Sequence, residues 1–155
     1  MLKVCLFEPE IPQNTGNIAR TCAATGSELH LIHPLGFDIS EKAVRHAGLD
    51  YWKDVKIFEY EDENDFFSKH KNDTMYFFSS KGKHNYSTID FSNSGDIYLC
   101  FGRESTGLGE KIIVEHNGNT MRIPMAKGIR CLNLSNSVAI VVYEALRQQG
   151  FKDLQ

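Results

Sequence analysis

Six short apolar runs, most of them closed by Gly or Pro and separated by stretches with helical spacing, leave this chain few architectures. The runs are residues 3–7 (KVCLF), 28–33 (ELHLIH), 55–59 (VKIFE), TMYFFSS from Thr74, DIYLCFG from Asp96 and TMRIP from Thr120. Between the first two, Asn14 or Thr15 supplies a helix cap, Ile18, Ala19, Cys22 and Ala23 mark one apolar face, and Gly26 stops the helix. Further helices are predicted from Ser40 to His46, from the acidic residues 61–65 through Phe66 and Phe67, and from Glu110 to Val114. Strands alternating with helices predict an α/β fold with a mainly parallel sheet flanked by helices.

The last segment, Arg122 to Gln148, is the most demanding. Pro124 ends a strand, Gly128 lets the backbone turn, and Ser135 or Asn136 is placed to cap the final helix. A cap needs one small polar side chain, yet Asn133, Ser135, Asn136 and Ser137 crowd together here, and the extra groups need partners. A well-capped buried helix is the competing reading of the same residues. From Val138 to Tyr143 the helix has no polar face, so it must be covered by the sheet on one side and by a second copy of the chain on the other. A homodimer is the expectation.

At 155 residues the chain fits a single domain, residues 1–155, with no room for a separate recognition module. The formal charge of −3 means that any nucleic acid must meet a local basic patch. Cys5, Cys22, Cys100 and Cys131 are widely spaced without a C-x-x-C pair, which fits reduced thiols. The N-terminus is interrupted by Glu8 and Pro9 too early for a signal peptide, and no apolar run approaches the ~20 residues of a membrane span. The expectation is a cytoplasmic protein with no membrane association.

Three constellations could carry chemistry. GRESTGLG at 102–109 follows an apolar strand, where open α/β sheets bind ligands, but Leu108 and Gly109 stand where a phosphate loop needs Lys and Ser or Thr. That spacing disfavours a nucleotide hydrolase. Asn14, Asn17 and Arg20 can share a side of the first helix, and a guanidinium fork suits phosphate or ribose oxygens. The Lys81-Gly82-Lys83-His84 loop, Arg103, and Lys127 with Arg130 all follow strands; in a parallel sheet they share one rim, a patch suited to an RNA backbone. His30 and His33 lie in a strand and are assigned no metal.

PQNTGNIAR at 12–20, FGRESTGL at 101–108 and RIPMAKGIRCLNLSNSVAIVVYEALRQ at 122–148 resemble, in order and spacing, the three motifs of the SPOUT RNA methyltransferases. AVRHAGLDYW at 43–52 and SSKG at 79–82 are further similar to the minimal tRNA (cytidine/uridine wobble) 2′-O-methyltransferases. The resemblance implies a C-terminal trefoil knot and a homodimer that binds S-adenosyl-L-methionine and releases S-adenosyl-L-homocysteine, with no metal. It implies methylation of the ribose 2′-OH of the wobble nucleotide in the tRNA anticodon stem-loop, with leucine isoacceptors expected. Carried over by position, Arg20, Asn14 and Asn133 are catalytic, Arg20 coming from the partner subunit. Phe78, Gly102, Glu104, Ile123, Cys131 and Leu132 contact the cofactor. Cys131 stands where many relatives carry serine, which removes a hydroxyl but not a main-chain contact. The alternatives are 2′-O-methylation at another RNA site, or an RNA-binding module without catalysis.

Overall fold

The structure, a computed structural model, describes residues 1–40, 50–93 and 95–155. Residues 41–46 of the helix expected from Ser40 to His46, and residues 43–49 of the AVRHAGLDYW motif, lie outside the described residues. Seven parallel-paired strands form one sheet: β1 (Leu2–Phe7), β2 (Glu28–Ile32), β3 (Ile57–Tyr60), β4 (Thr74–Phe78), β5 (His84–Asn85), β6 (Ile97–Phe101) and β7 (Thr120–Arg122). The helices are α1 (Pro12–Thr25), α2 (Glu63–Lys69), α3 (Glu110–Glu115) and α4 (Leu134–Gln148), and a 3₁₀ turn spans Asp50–Asp54.

Two helix starts differ from the sequence reading. Helix α1 opens at Pro12, whose missing N–H costs nothing at a helix start, so Asn14 and Thr15 lie inside the helix and their side chains are not caps. Helix α4 is capped by Asn133 rather than Ser135 or Asn136; the Asn133 Oδ1 accepts from Ser135 N–H at 2.9 Å and from Ser135 Oγ at 2.6 Å. Gly26, at φ 67°, closes α1 in the left-handed conformation, as expected.

The strand order β3-β2-β1-β6-β4-β7-β5 puts β7 between β4 and β5, which are joined by only residues 79–83. Phe78 and His84 both register with Met121, on its two sides, so this short link must pass across a face of β7. The crossing explains Gly82, where an added Cβ would sit 2.3 Å from the carbonyl carbon and oxygen of Met121. Ser79 N–H donates to Met121 O at 2.9 Å and fixes the same crossing. His84, read from sequence as the end of a basic loop, thereby opens a two-residue edge strand with Asn85.

Strand alternation divides the core. Val4 and Leu6 face α1 and α4, meeting Ile18, Ala19 and Cys22 of the first and Val138, Val141, Val142 and Ala145 of the second. Cys5 and Phe7 face α2 and α3, meeting Phe66 and Ile112. Strands β2 and β6 are buried at every position, as central parallel strands covered on both faces require. On α4 the buried positions follow an i, i+3, i+4, i+7, i+8 stripe, while Tyr143 is 47% exposed and Ala139 and Ile140 are half-buried. Its outer face is only partly covered within one chain.

At the N-terminal ends of the strands, Lys3 Nζ donates to Glu28 at 2.8 Å and pairs with Asp96 at 3.3 Å, and Asp96 also takes the chain's terminal ammonium. A polar chain continues inward. His30 Nδ1 lies 2.8 Å from the Tyr60 hydroxyl, which lies 2.9 Å from His70 Nε2, and His70 Nδ1 is 2.7 Å from Asp73. Glu28 is 3.4 Å from His30 Nε2. Burial drives the His30 pKa down to about 4, against the pull of Glu28, so this ring is neutral at neutral pH.

Candidate active site

The C-terminal ends of β1, β4, β6 and β7 lie side by side, since Leu6 and Phe78 both register with Phe101, and Phe78 with Met121. The segments that follow, residues 8–11, 79–83, 102–109 and 123–133, therefore share one rim. Phe78 is buried and stacks on Phe101 with ring centroids 4.8 Å apart. Gly102 is pressed against its own loop: a Cβ there would fall 2.0 Å from Gly107 C and from Leu108 N. Gly107, at φ 69°, lets the loop turn back so that its N–H donates to Arg103 O at 2.9 Å.

Carboxylates bolt the first two loops together. Glu104 accepts from the backbone N–H of Glu10 at 2.8 Å and of Ile11 at 3.1 Å, and from Asn14 Nδ2 at 3.2 Å. Glu10 reciprocates, accepting from Ser105 N at 3.1 Å and Ser105 Oγ at 2.6 Å, and Glu8 pairs with Arg103. Because Asn14 turns its amide nitrogen to Glu104, its oxygen faces away and accepts from Asn133 Nδ2 at 3.1 Å. The Asn133 oxygen is then left to cap α4. One line of hydrogen bonds thus runs Glu104, Asn14, Asn133, α4 and ties all three sequence motifs to a single orientation.

The third loop is open. Residues 126–133 are exposed, among them Ile129 at 58%, Cys131 and Leu132 at 36%. Between residues 123 and 132 the one backbone hydrogen bond among the described residues is Ile129 N–H to Ala126 O, leaving the other main-chain donors and acceptors available to a ligand. Ile123 is half-buried and packs on the core.

Arg20 stands apart from this cluster. It is exposed, makes no hydrogen bond to Asn14, Glu104 or Asn133, and lies with its guanidinium carbon 4.8 Å above the centroid of the Tyr51 ring. Asn14 is buried and Asn17 exposed, so the three polar residues of α1 do not act as one set. The basic rim is present but reduced. Lys81, Lys83, Lys127 and Arg130 are exposed without an ion pair among the described residues, whereas Arg103 is engaged by Glu8. No group of His, Cys, Asp and Glu among the described residues is placed to hold a metal ion. Sequence reading missed Glu8, Glu10 and Ser105. Their signal was three acidic or polar residues at the ends of two strands, which acquires meaning only when those ends adjoin.

The model of the SpoU rRNA Methylase family matches residues 1–143. The chain belongs to the SpoU methylase family. A Geobacillus stearothermophilus protein is 53% identical to it over 99% of this chain and 98% of its own length. The tRNA (cytidine(34)-2′-O)-methyltransferase of Escherichia coli (strain K12) is 42% identical over 97% of this chain and 96% of its own. A solved structure described as giving insight into 2-OH methylation of C/U34 on tRNA superposes with TM-score 0.88 at 39% identity, covering 98% of both chains. An AdoMet-bound rRNA methyltransferase from Sinorhizobium meliloti superposes at 0.82 with 28% identity, over 94% of this chain and 56% of its own. The SpoU methylases have the SPOUT fold, which implies a C-terminal trefoil knot.

Proposed function

We propose that this chain, acting as one domain and as a homodimer in the cytoplasm, transfers the methyl group of S-adenosylmethionine to the ribose 2′-OH of the wobble cytidine or uridine of tRNA, leucine isoacceptors included. The observation that carries the reading is 42% identity, over 97% of this chain, to the tRNA (cytidine(34)-2′-O)-methyltransferase of Escherichia coli, combined with the hydrogen-bonded line from Glu104 through Asn14 to Asn133 at one strand rim. No helix among the described residues is long and apolar enough to cross a membrane, consistent with a soluble RNA substrate.

The rim fits the cofactor. Gly102 keeps the second loop flat, Phe78 and Ile123 floor the rim with apolar surface, and the free main-chain groups around Cys131 and Leu132 suit recognition of an adenine edge without side-chain donors. Bound there, S-adenosylmethionine supplies a methyl group already activated by its sulfonium. The chain's residues then align a nucleophile and handle one proton. Asn133, fixed by Asn14 and by its cap on α4, anchors the end of the third loop; holding nucleophile and methyl donor in line can supply on the order of 7–11 kcal/mol of the barrier in favourable cases. Arg20, which makes no hydrogen bond to its own chain's Asn14, Glu104 or Asn133, acts on the partner's site, where its fork stabilises the developing ribose alkoxide. A guanidinium keeps its proton in water and is a poor base, so water or an RNA phosphate takes the proton. Lys81, Lys83, Lys127 and Arg130 hold the RNA backbone.

The test is mass spectrometry of nucleosides from tRNA incubated with the protein and isotopically labelled S-adenosylmethionine. Labelled 2′-O-methylcytidine or 2′-O-methyluridine at position 34 is expected. Label elsewhere in the tRNA, or no transfer, contradicts the reading.

A further inference from the structure

Arg20 and two other arginines are held in different ways. Arg103 is held by Glu8, and Arg147 gives Glu144 two hydrogen bonds at 2.8 and 3.0 Å. Each of these uses guanidinium N–H groups and meets a negative charge. Arg20 has no carboxylate among the described residues; its guanidinium lies on the face of Tyr51, and the ring uses none of its donors. The turn that carries the ring is anchored. Tyr51 sits in the Asp50–Asp54 turn, whose neighbouring Trp52 packs against the core beneath α1, while Tyr51 stays 40% exposed.

We propose that Tyr51 is a positioning residue for methyl transfer: it presents Arg20 outward with all its N–H donors free for RNA oxygens. This rests on the reading of Arg20 given above. An exposed arginine samples many rotamers, and freezing them at the moment of reaction opposes the reaction. A carboxylate would restrict those rotamers too, but it would occupy the donors and repel an approaching phosphate. An aromatic face restricts the side chain without either penalty. The arrangement also suits an arginine that serves another subunit, because the support comes from its own chain and moves with it.

The experiment compares Tyr51→Phe and Tyr51→Leu, each alone and with Arg20→Lys, by single-turnover methyl transfer to tRNA. Cofactor titration, tRNA binding and thermal melting are followed in parallel. Tyr51→Phe keeps the ring and is expected to hold the transfer rate within about twofold. Tyr51→Leu is expected to lower it on the order of tenfold, with tRNA and cofactor affinities within about twofold. In the Arg20→Lys background the Leu change is expected to add little, since a lysine lacks the planar stacking group. The Arg20 side-chain NMR signals of the free protein supply a readout independent of activity and of the partner: an upfield ring-current shift present in wild type and Tyr51→Phe and lost in Tyr51→Leu. Full activity of Tyr51→Leu, a fall due to tRNA affinity alone, or no ring-current shift in wild type overturns the proposal. Full activity of Arg20→Ala instead overturns the catalytic role of Arg20, and so separates the two failures.

Discussion

Replacing Glu104 by Gln changes one atom and tests whether the rim is organised as described. Three N–H donors converge on this carboxylate, two on Oε1 and one on Oε2. A glutamine offers one oxygen, and its best placement keeps the Ile11 and Asn14 bonds while turning an NH₂ toward the Glu10 N–H. The loss is one charge-assisted bond and the charge itself at two others, in a half-buried setting, so about 2 kcal/mol is expected. Flipping the Asn14 amide to meet the glutamine nitrogen does not rescue it. That flip turns Asn14 Nδ2 toward Asn133 Nδ2, and relieving the clash by flipping Asn133 removes the α4 cap, worth about 1 kcal/mol. For a chain of this size about 2 kcal/mol corresponds to a Tm lower by about 4–8 °C. The assay is urea and thermal unfolding of Glu104→Gln beside wild type, with cofactor titration in parallel. Stability within about 0.5 kcal/mol of wild type would show that the carboxylate is not the organising acceptor.

Gly82→Ala is expected to destabilise by about 3 kcal/mol in urea unfolding, because its Cβ meets the Met121 backbone and neither segment is free to give way. Gly118→Ala, with nothing within 4 Å and no left-handed backbone, is the control and should stay within about 0.5 kcal/mol. On acidification, His30 has a folded pKa near 4 against about 6.5 unfolded, so the unfolded chain binds more protons between these values. Its stabilising effect is complete above pH 6.5 and drains as pH falls, by about 2 kcal/mol between pH 7 and pH 5. His116, lowered by its burial, adds to the same slope, whereas Glu28, Asp96 and Glu144, whose pKa values are depressed, contribute only at lower pH. Urea midpoints of wild type and His30→Gln across pH 5–7 check this: the variant should show a shallower fall, and equal slopes refute the assignment.

The sheet was readable because its strands are apolar throughout or alternate cleanly, and a parallel order follows from helices between them. β5 was not readable: two polar residues, His84 and Asn85, become a strand only because β7 arrives beside them from later in the chain. The caps were misread for a related reason. Ser135 and Asn136 are as good a cap as Asn133 by type, and what selects Asn133 is its amide being oriented by Asn14, 119 residues earlier. Likewise Glu10 and Ser105 have no local signal, since their bond spans the ends of two strands. Arg20 was recognised from its motif, but its support by Tyr51 depends on how a 3₁₀ turn packs on α1.

The central claim is that Arg20 of one chain completes the site of its partner. It is tested most directly by mixing two inactive chains: Arg20→Ala, with its pocket intact, and a pocket variant such as Cys131→Trp that has lost cofactor binding by calorimetry but keeps Arg20. If the arginine acts across the dimer, each mixed dimer has one complete site and methyl transfer to tRNA returns on mixing and re-association. If mixed dimers form, as mass spectrometry of the intact assemblies would show, and transfer remains absent, the shared site is wrong.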